Sequence, residues 1–166
     1  MINYSPGDVR AARMRLGLTV PDCARLLQID IKLQEMMERG KIHNVYPEMI
    51  ERLARLENQM YHRAAQWEAV CNPDKPLVTY PSQQAFEQFA VPPDKELQQV
   101  HIHRMMMAVT QENKRHEGVD VRIVELVPAY YTGWLESQGL PEGIENQIKW
   151  AAERLEAFEQ REGMPG

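Results

Sequence analysis

The spacing of apolar positions sets the first expectations. Val9, Ala12 and Leu16 fall three and four residues apart behind Ser5-Pro6. That pattern predicts a helix capped by Ser5, with Pro6 at its first position and Gly17 as its stop. Thr19 opens a second helix, with Asp22 in the acidic slot of a capping-box-like pair. Its inner face is Val20 or Cys23, then Ala24 and Leu27. A break at Gln28-Ile29-Asp30 precedes a third helix, capped by Asp30 and closed by Gly40. From Pro47 onward, Met49, Leu53, Leu56, Met60, Ala64 and Trp67 recur at steps of four and three. This is a long helix with a single packing seam.

Beyond "CNPDKP", residues 71–76, the rhythm changes. Two prolines and turn formers mark that stretch as a linker. "LVTY" is β-branched and short, so a strand; "SQQAFEQF" is a short helix ended by "VPPD". Leu97, Val100, Met105 and Val109 predict a helix over residues 94–115. Val119, Val121, Ile123 and then Leu126 predict a strand stopped by Pro128. "AYYTGWLESQGL" and "PEGIENQIKWAAERLEAFEQRE" supply two more helices, and the tail "GMPG" is expected to fray.

Composition narrows the class. A chain of 166 residues holds one ordinary domain or two small ones, and 43% apolar with 26% charged residues is usual for a soluble globular protein. No run approaches the ~18 apolar residues of a membrane span. The start "MINYSPGDVR" lacks a basic-then-apolar secretory pattern, so a cytoplasmic protein is expected. Cys23 and Cys71 suit a reducing compartment, Cys23 as a buried, inert thiol. Net charge is −5, which weighs against nucleic acid, but the charge is uneven. Residues 1–65 carry ten Lys/Arg against eight Asp/Glu; residues 66–166 carry nine against sixteen. A phosphate-binding surface therefore belongs in the first part, and even there the basic footprint is thin.

The segment from Thr19 to Lys41 has helix-turn-helix spacing. Two helices that cross closely need a small residue where they touch, and Ala24 stands there. A hydrophobe must plug the turn, and Ile29 does so; Met37 supplies the inward position of the following helix. That following helix can then present its first turn to a major groove.

"RMRLGLT", "CARLLQI" and "LQEMMERGK" together resemble the lambda-repressor/Cro-type (XRE-like) family over about 35 residues. The resemblance implies an ion pair between Arg13 and Glu38 that fixes the first helix against the third. It implies that Lys32, Gln34 and Glu35 face bases while Arg39 and Lys41 position the phosphate backbone. The order of "YPSQQAF", "HIHRMMMAV", "VRIVELV", "AYYTGWL" and "IKWAAERLE" is similar to the YdiL-like group of unknown function, itself similar to anti-CRISPR-associated regulators. That likeness implies a homodimer on an inverted repeat. The fold class expected is thus α+β, mostly α. Residues 1–70 form a lambda-repressor-like helix-turn-helix domain with a long connecting helix, and residues 76–166 a small α/β dimerisation part. The function expected is a transcriptional regulator, a repressor on a palindromic operator, with double-stranded DNA and itself as partners.

The chain departs from the family pattern at Val20, Ile31 and Met36, which replace polar contact residues, and Gln34 stands where a buried hydrophobe is usual. A slight rotation of the third helix would turn Gln34 outward. Val20, Ile31, Leu33 and Met36 make an apolar patch that serves thymine methyls or a protein partner equally well. Protein binding on that face, with the helix-turn-helix kept as scaffold, is the competing expectation.

Other chemistry is not expected. His101 and His103 diverge by roughly 200° on a helix and cannot grip one metal. No glycine-rich phosphate loop exists, so no cofactor is expected, and no catalytic constellation, so no enzyme. Met105–Met107 read as core filler, and Tyr130, Tyr131, Trp134 and Trp150 as packing of the last helices on the sheet or as a dimer interface.

Overall fold

The computed structural model describes residues 4–42 and 45–163. Of the tail "GMPG" expected to fray, Gly163 caps the last helix and residues 164–166 lie outside the described residues. The chain is mostly helical and carries one two-stranded parallel sheet. It divides into two compact units, Met1–His62 and Arg63–Gly166. The division falls inside a helix, not at residues 71–76. Those residues close a tight turn instead: Asn72 and Lys75 bridge, and the Asn72 side chain accepts from the Asp74 and Lys75 amides at 2.8 and 2.9 Å.

In the first unit, α1 (Pro6–Arg15) is capped by a full box, since Ser5 accepts from the Asp8 amide and Asp8 accepts from the Ser5 amide. At α2 (Val20–Leu27) only half the box forms. Thr19 accepts from the Asp22 amide, but its hydroxyl donates to the Asp22 carboxylate at 2.7 Å. Asp30 caps α3 (Ile31–Glu38) through the Lys32 amide at 2.8 Å. All three helices end alike. Gly17, Gln28 and Gly40 take left-handed φ of 68°, 59° and 72°, and the next amide reaches back five residues to a helix carbonyl. Val9, Ala12, Leu16, Cys23, Ala24, Leu27 and Met37 are buried, and α4 (Pro47–Val70) adds Met49, Leu53, Leu56 and Met60.

The second unit begins with the last two turns of α4, where Ala64 and Trp67 are buried. Strand β1 (Leu77–Thr79) pairs in parallel with β2 (Ile123–Glu125). Parallel pairing requires a crossover. It consists of α5 (Gln83–Phe89), α6 (Pro92–Lys95) and α7 (Val100–His116). The strands are followed by α8 (Pro128–Gln138) and α9 (Ile144–Glu162). Val78, Tyr80, Phe86, Phe89, Leu126, Tyr131 and Trp150 form the core, with Tyr131 edge-on to both Phe89 and Trp150.

Two expectations need correction here. The helix predicted over residues 94–115 starts only at Val100, because α6 is separate and Gln98 adopts φ 69° between them. Leu97 and Val100 are buried as expected, but the rest of the buried face is Ile102, His103, Met106, Met107 and Thr110, while Met105 and Val109 are half-buried. The strand predicted across residues 119–126 keeps only three residues in the ladder. Val121 and Leu126 are fully buried beside it, but the exposure of β2 does not alternate. Among the aromatics, Tyr131 and Trp150 pack as expected, whereas Tyr130 is exposed. Among the described residues no helix is long and apolar enough to cross a membrane.

Candidate functional site

Two polar constellations stand out, one in each unit. The first lies under the outer face of α3. Arg13 of α1 meets the Glu38 carboxylate with Nε 3.0 Å from both oxygens and Nη2 2.8 Å from Oε1. Its remaining arm donates to the Leu18 carbonyl at 2.8 Å, and Arg10 donates to the Glu38 carbonyl. The Glu38 side chain is 5% exposed and that of Arg13 16%. A pair this well enclosed is held by geometry, and its main cost appears when one partner is removed.

Gln34 completes this lock and corrects an expectation. It does not turn outward to face bases. It is fully buried, and its Nε2 donates to Glu38 Oε2 at 2.7 Å. The inward position where a hydrophobe was expected is kept, and the polar side chain there feeds the ion pair one turn away. Among the described residues its Oε1 has no hydrogen-bond partner. The i, i+4 spacing of Gln34 and Glu38 was the available signal.

Above this lock the α3 surface is open. Lys32, Glu35, Arg39 and Lys41 are exposed. Ile31 and Leu33 flank Lys32 at 40% and 37% exposure, while Val20 and Met36 are half-buried. The outward patch is thus smaller than the four residues the sequence suggested. Arg39 caps the helix, Gly40 turns left-handed, and the Lys41 amide bonds back to the Met36 carbonyl at 2.9 Å. The two cations therefore leave the helix end on ordered backbone. Cys23 lies beneath with its thiol pushed up to about 12, by burial first and the Glu38 charge second. At neutral pH it is not a nucleophile.

The second constellation escaped the sequence reading. Asp94 of α6 is buried and accepts from Arg63 Nε, from Trp67 Nε1 at 3.2 Å and from His103 Nε2 at 3.3 Å. The other ring nitrogen of His103 lies 3.5 Å from Thr79 Oγ1. Burial works to raise the Asp94 pKa, but the His103 and Arg63 hydrogen bonds and charges outweigh it and hold the carboxyl below its ordinary value. Carboxylate, imidazole and hydroxyl stand in the order of a nucleophilic triad. Yet Thr79, His103 and Asp94 are 7%, 0% and 0% exposed, so the network is enclosed in the core. The arrangement ties β1, α6, α7 and the end of α4 together. A carboxylate in "VPPD" nine residues before His103 was the only local signal; Arg63 and Trp67 lie about thirty residues upstream of Asp94.

Among the described residues, no three His, Cys, Asp or Glu side chains gather at metal-binding range. No protein-family model matches the chain, and no curated protein matches it.

Proposed function

We propose that the chain is a sequence-specific DNA-binding regulator whose α2–α3 pair works as a helix-turn-helix, acting as a homodimer on a palindromic operator. The observation that carries this reading is the division of α3 into two faces. One is locked inward through Gln34, Met37 and Glu38; the other offers Lys32 and Glu35 in the first turns, with Arg39 and Lys41 at the far end. In a major groove, the start of such a helix meets base edges while its end meets backbone. Lys32 is the donor for guanine, Glu35 the acceptor for a cytosine amino group, and Ile31 and Leu33 suit thymine methyls. Arg39 and Lys41 supply phosphate contacts. Two such modules at a half-site spacing of about 34 Å gain by effective concentration what one lacks in charge.

The test is fluorescence anisotropy on fragments of the upstream region of the protein's own gene, at two salt concentrations with competitor DNA, followed by random-site selection. Binding that survives competitor and falls steeply with salt is the expected result. Lys32→Ala costs roughly 1–3 kcal/mol and relaxes preference at one base pair. Unchanged affinity and preference in that variant would remove Lys32 from the site, and absence of any selected sequence would remove the reading.

One observation favours a second reading, in which this face binds a protein. Ile31 and Leu33, one on each side of Lys32 in the sequence, each remain more than a third exposed. A partner held by apolar contact shows little salt dependence, which separates the two readings in the same titration.

A further inference from the structure

We propose that the outer edge of β2, with the arginines around it, takes an extended acidic peptide from another protein as an added strand. Among the described residues the sheet has two strands, so β2 meets a neighbouring strand along one side. Leu77 donates to the Arg122 carbonyl and Leu126 donates to the Thr79 carbonyl, both at 2.9 Å. Main-chain groups alternate sides along a strand, so Arg122, Val124 and Leu126 face β1. Ile123 and Glu125 point their N–H and C=O groups the other way. Among the described residues nothing takes them up, and an open strand edge is a template for pairing.

What borders the edge selects the occupant. A groove of about 340 Å³ runs along it, lined by Arg122, Ile123 and Glu125 of the strand region and by Arg154, Phe158 and Arg161 of α9. The unit as a whole is acidic, yet none of these three arginines has a carboxylate partner among the described residues. Arg154 is held in place by stacking 5.5 Å over the rings of Tyr130 and Trp150. Phe158 is 51% exposed and offers an apolar contact. A peptide with carboxylates at alternate positions fits these features: main-chain bonds to Ile123 and Glu125, and, on the α9 side, carboxylates on the guanidiniums with their methylenes against Phe158. A second copy of this chain fits less well, because pairing β2 with β2 crowds two sets of arginines against each other.

The probe is an acetylated, fluorescein-labelled peptide of about eight residues alternating Glu and Val, read by anisotropy against the full chain. Two further peptides carry N-methyl groups on the Glu amides or on the Val amides. Saturable binding is expected, with one methylated series weakened by about tenfold or more and the other unchanged, because only alternate amides face the edge. Arg122→Glu combined with Arg161→Glu weakens the parent peptide by about tenfold or more. Both residues are exposed, and the methylated pair tests the proposal on the unaltered protein if that variant does not fold. No saturable binding, equal effects of both methylations, or equal competition by oligothymidylate would overturn it. A wild-type dimer that the double arginine variant dissociates would overturn it too, since the edge would then belong to a second copy.

Discussion

Gln28 and Gln34 show how much one residue can carry. Gln28 ends α2 in the left-handed region at φ 59°, where a Cβ crowds the following carbonyl. Gly17 and Gly40 hold the equivalent places after α1 and α3. Gln28→Gly is therefore expected to raise stability by about 0.5–1 kcal/mol, read as a higher urea midpoint at unchanged slope. Gln34 illustrates the opposite balance. Replacing it with Leu loses one donor to Glu38 but also removes a buried oxygen without a partner, so Gln34→Leu should shift stability by less than about 1 kcal/mol. Glu38→Ala leaves Arg13 half-buried and uncompensated and should cost about 3 kcal/mol. If the two variants prove equally costly in urea titrations, the lock is not organised around the Glu38 carboxylate.

Between elements, buried charge does the fastening where apolar packing is thin. α6 is a four-residue helix, and its anchorage is Asp94. Asp94→Asn keeps the size and removes the charge that Arg63 and His103 face, and is expected to cost about 3 kcal/mol. The pH dependence follows from the depressed carboxyl. Its ordinary value is 3.8, so the stability it contributes is fully present above that pH and is lost as the pH falls through the lower folded value. Below about pH 4 the wild type should therefore lose stability more steeply than Asp94→Asn. Parallel acid limbs in urea midpoints of the two proteins would show that Asp94 is not held ionised.

On the scale of the whole molecule, the uneven charge becomes a prediction about salt. The first unit carries the surplus of basic residues and the second the acidic surplus. On the proposed reading, phosphate contact is confined to few cations, so Arg39→Ala and Lys41→Ala each lower the slope of log affinity against log salt by about 1 per bound copy. Affinity should fall across all sequences alike, unlike Lys32→Ala. A slope that both variants leave untouched would move the phosphate contacts elsewhere.

The local rules of the chain were enough for most helix boundaries. Ser5, Thr19 and Asp30 each cap a helix where they stand, because a cap is satisfied by neighbours within three residues, and Pro47 begins α4 as a first-turn proline. The seam of α4 was equally legible, since its spacing is a property of the helix itself. Where the reading failed, side-chain type or periodicity pointed one way and a particular backbone break or partner decided the other. The face of α7 turned on Gln98 breaking a helix that periodicity would have continued. Gln34 reads as surface by type and is core because the Glu38 carboxylate, held by Arg13, accepts its amide donor there. The Asp94 network joins α4, α6, α7 and β1, and the edge of β2 is open because, among the described residues, no third strand pairs with it. A sequence states which groups must be hydrogen-bonded; only the tertiary structure decides which partner satisfies them, and which are left facing outward.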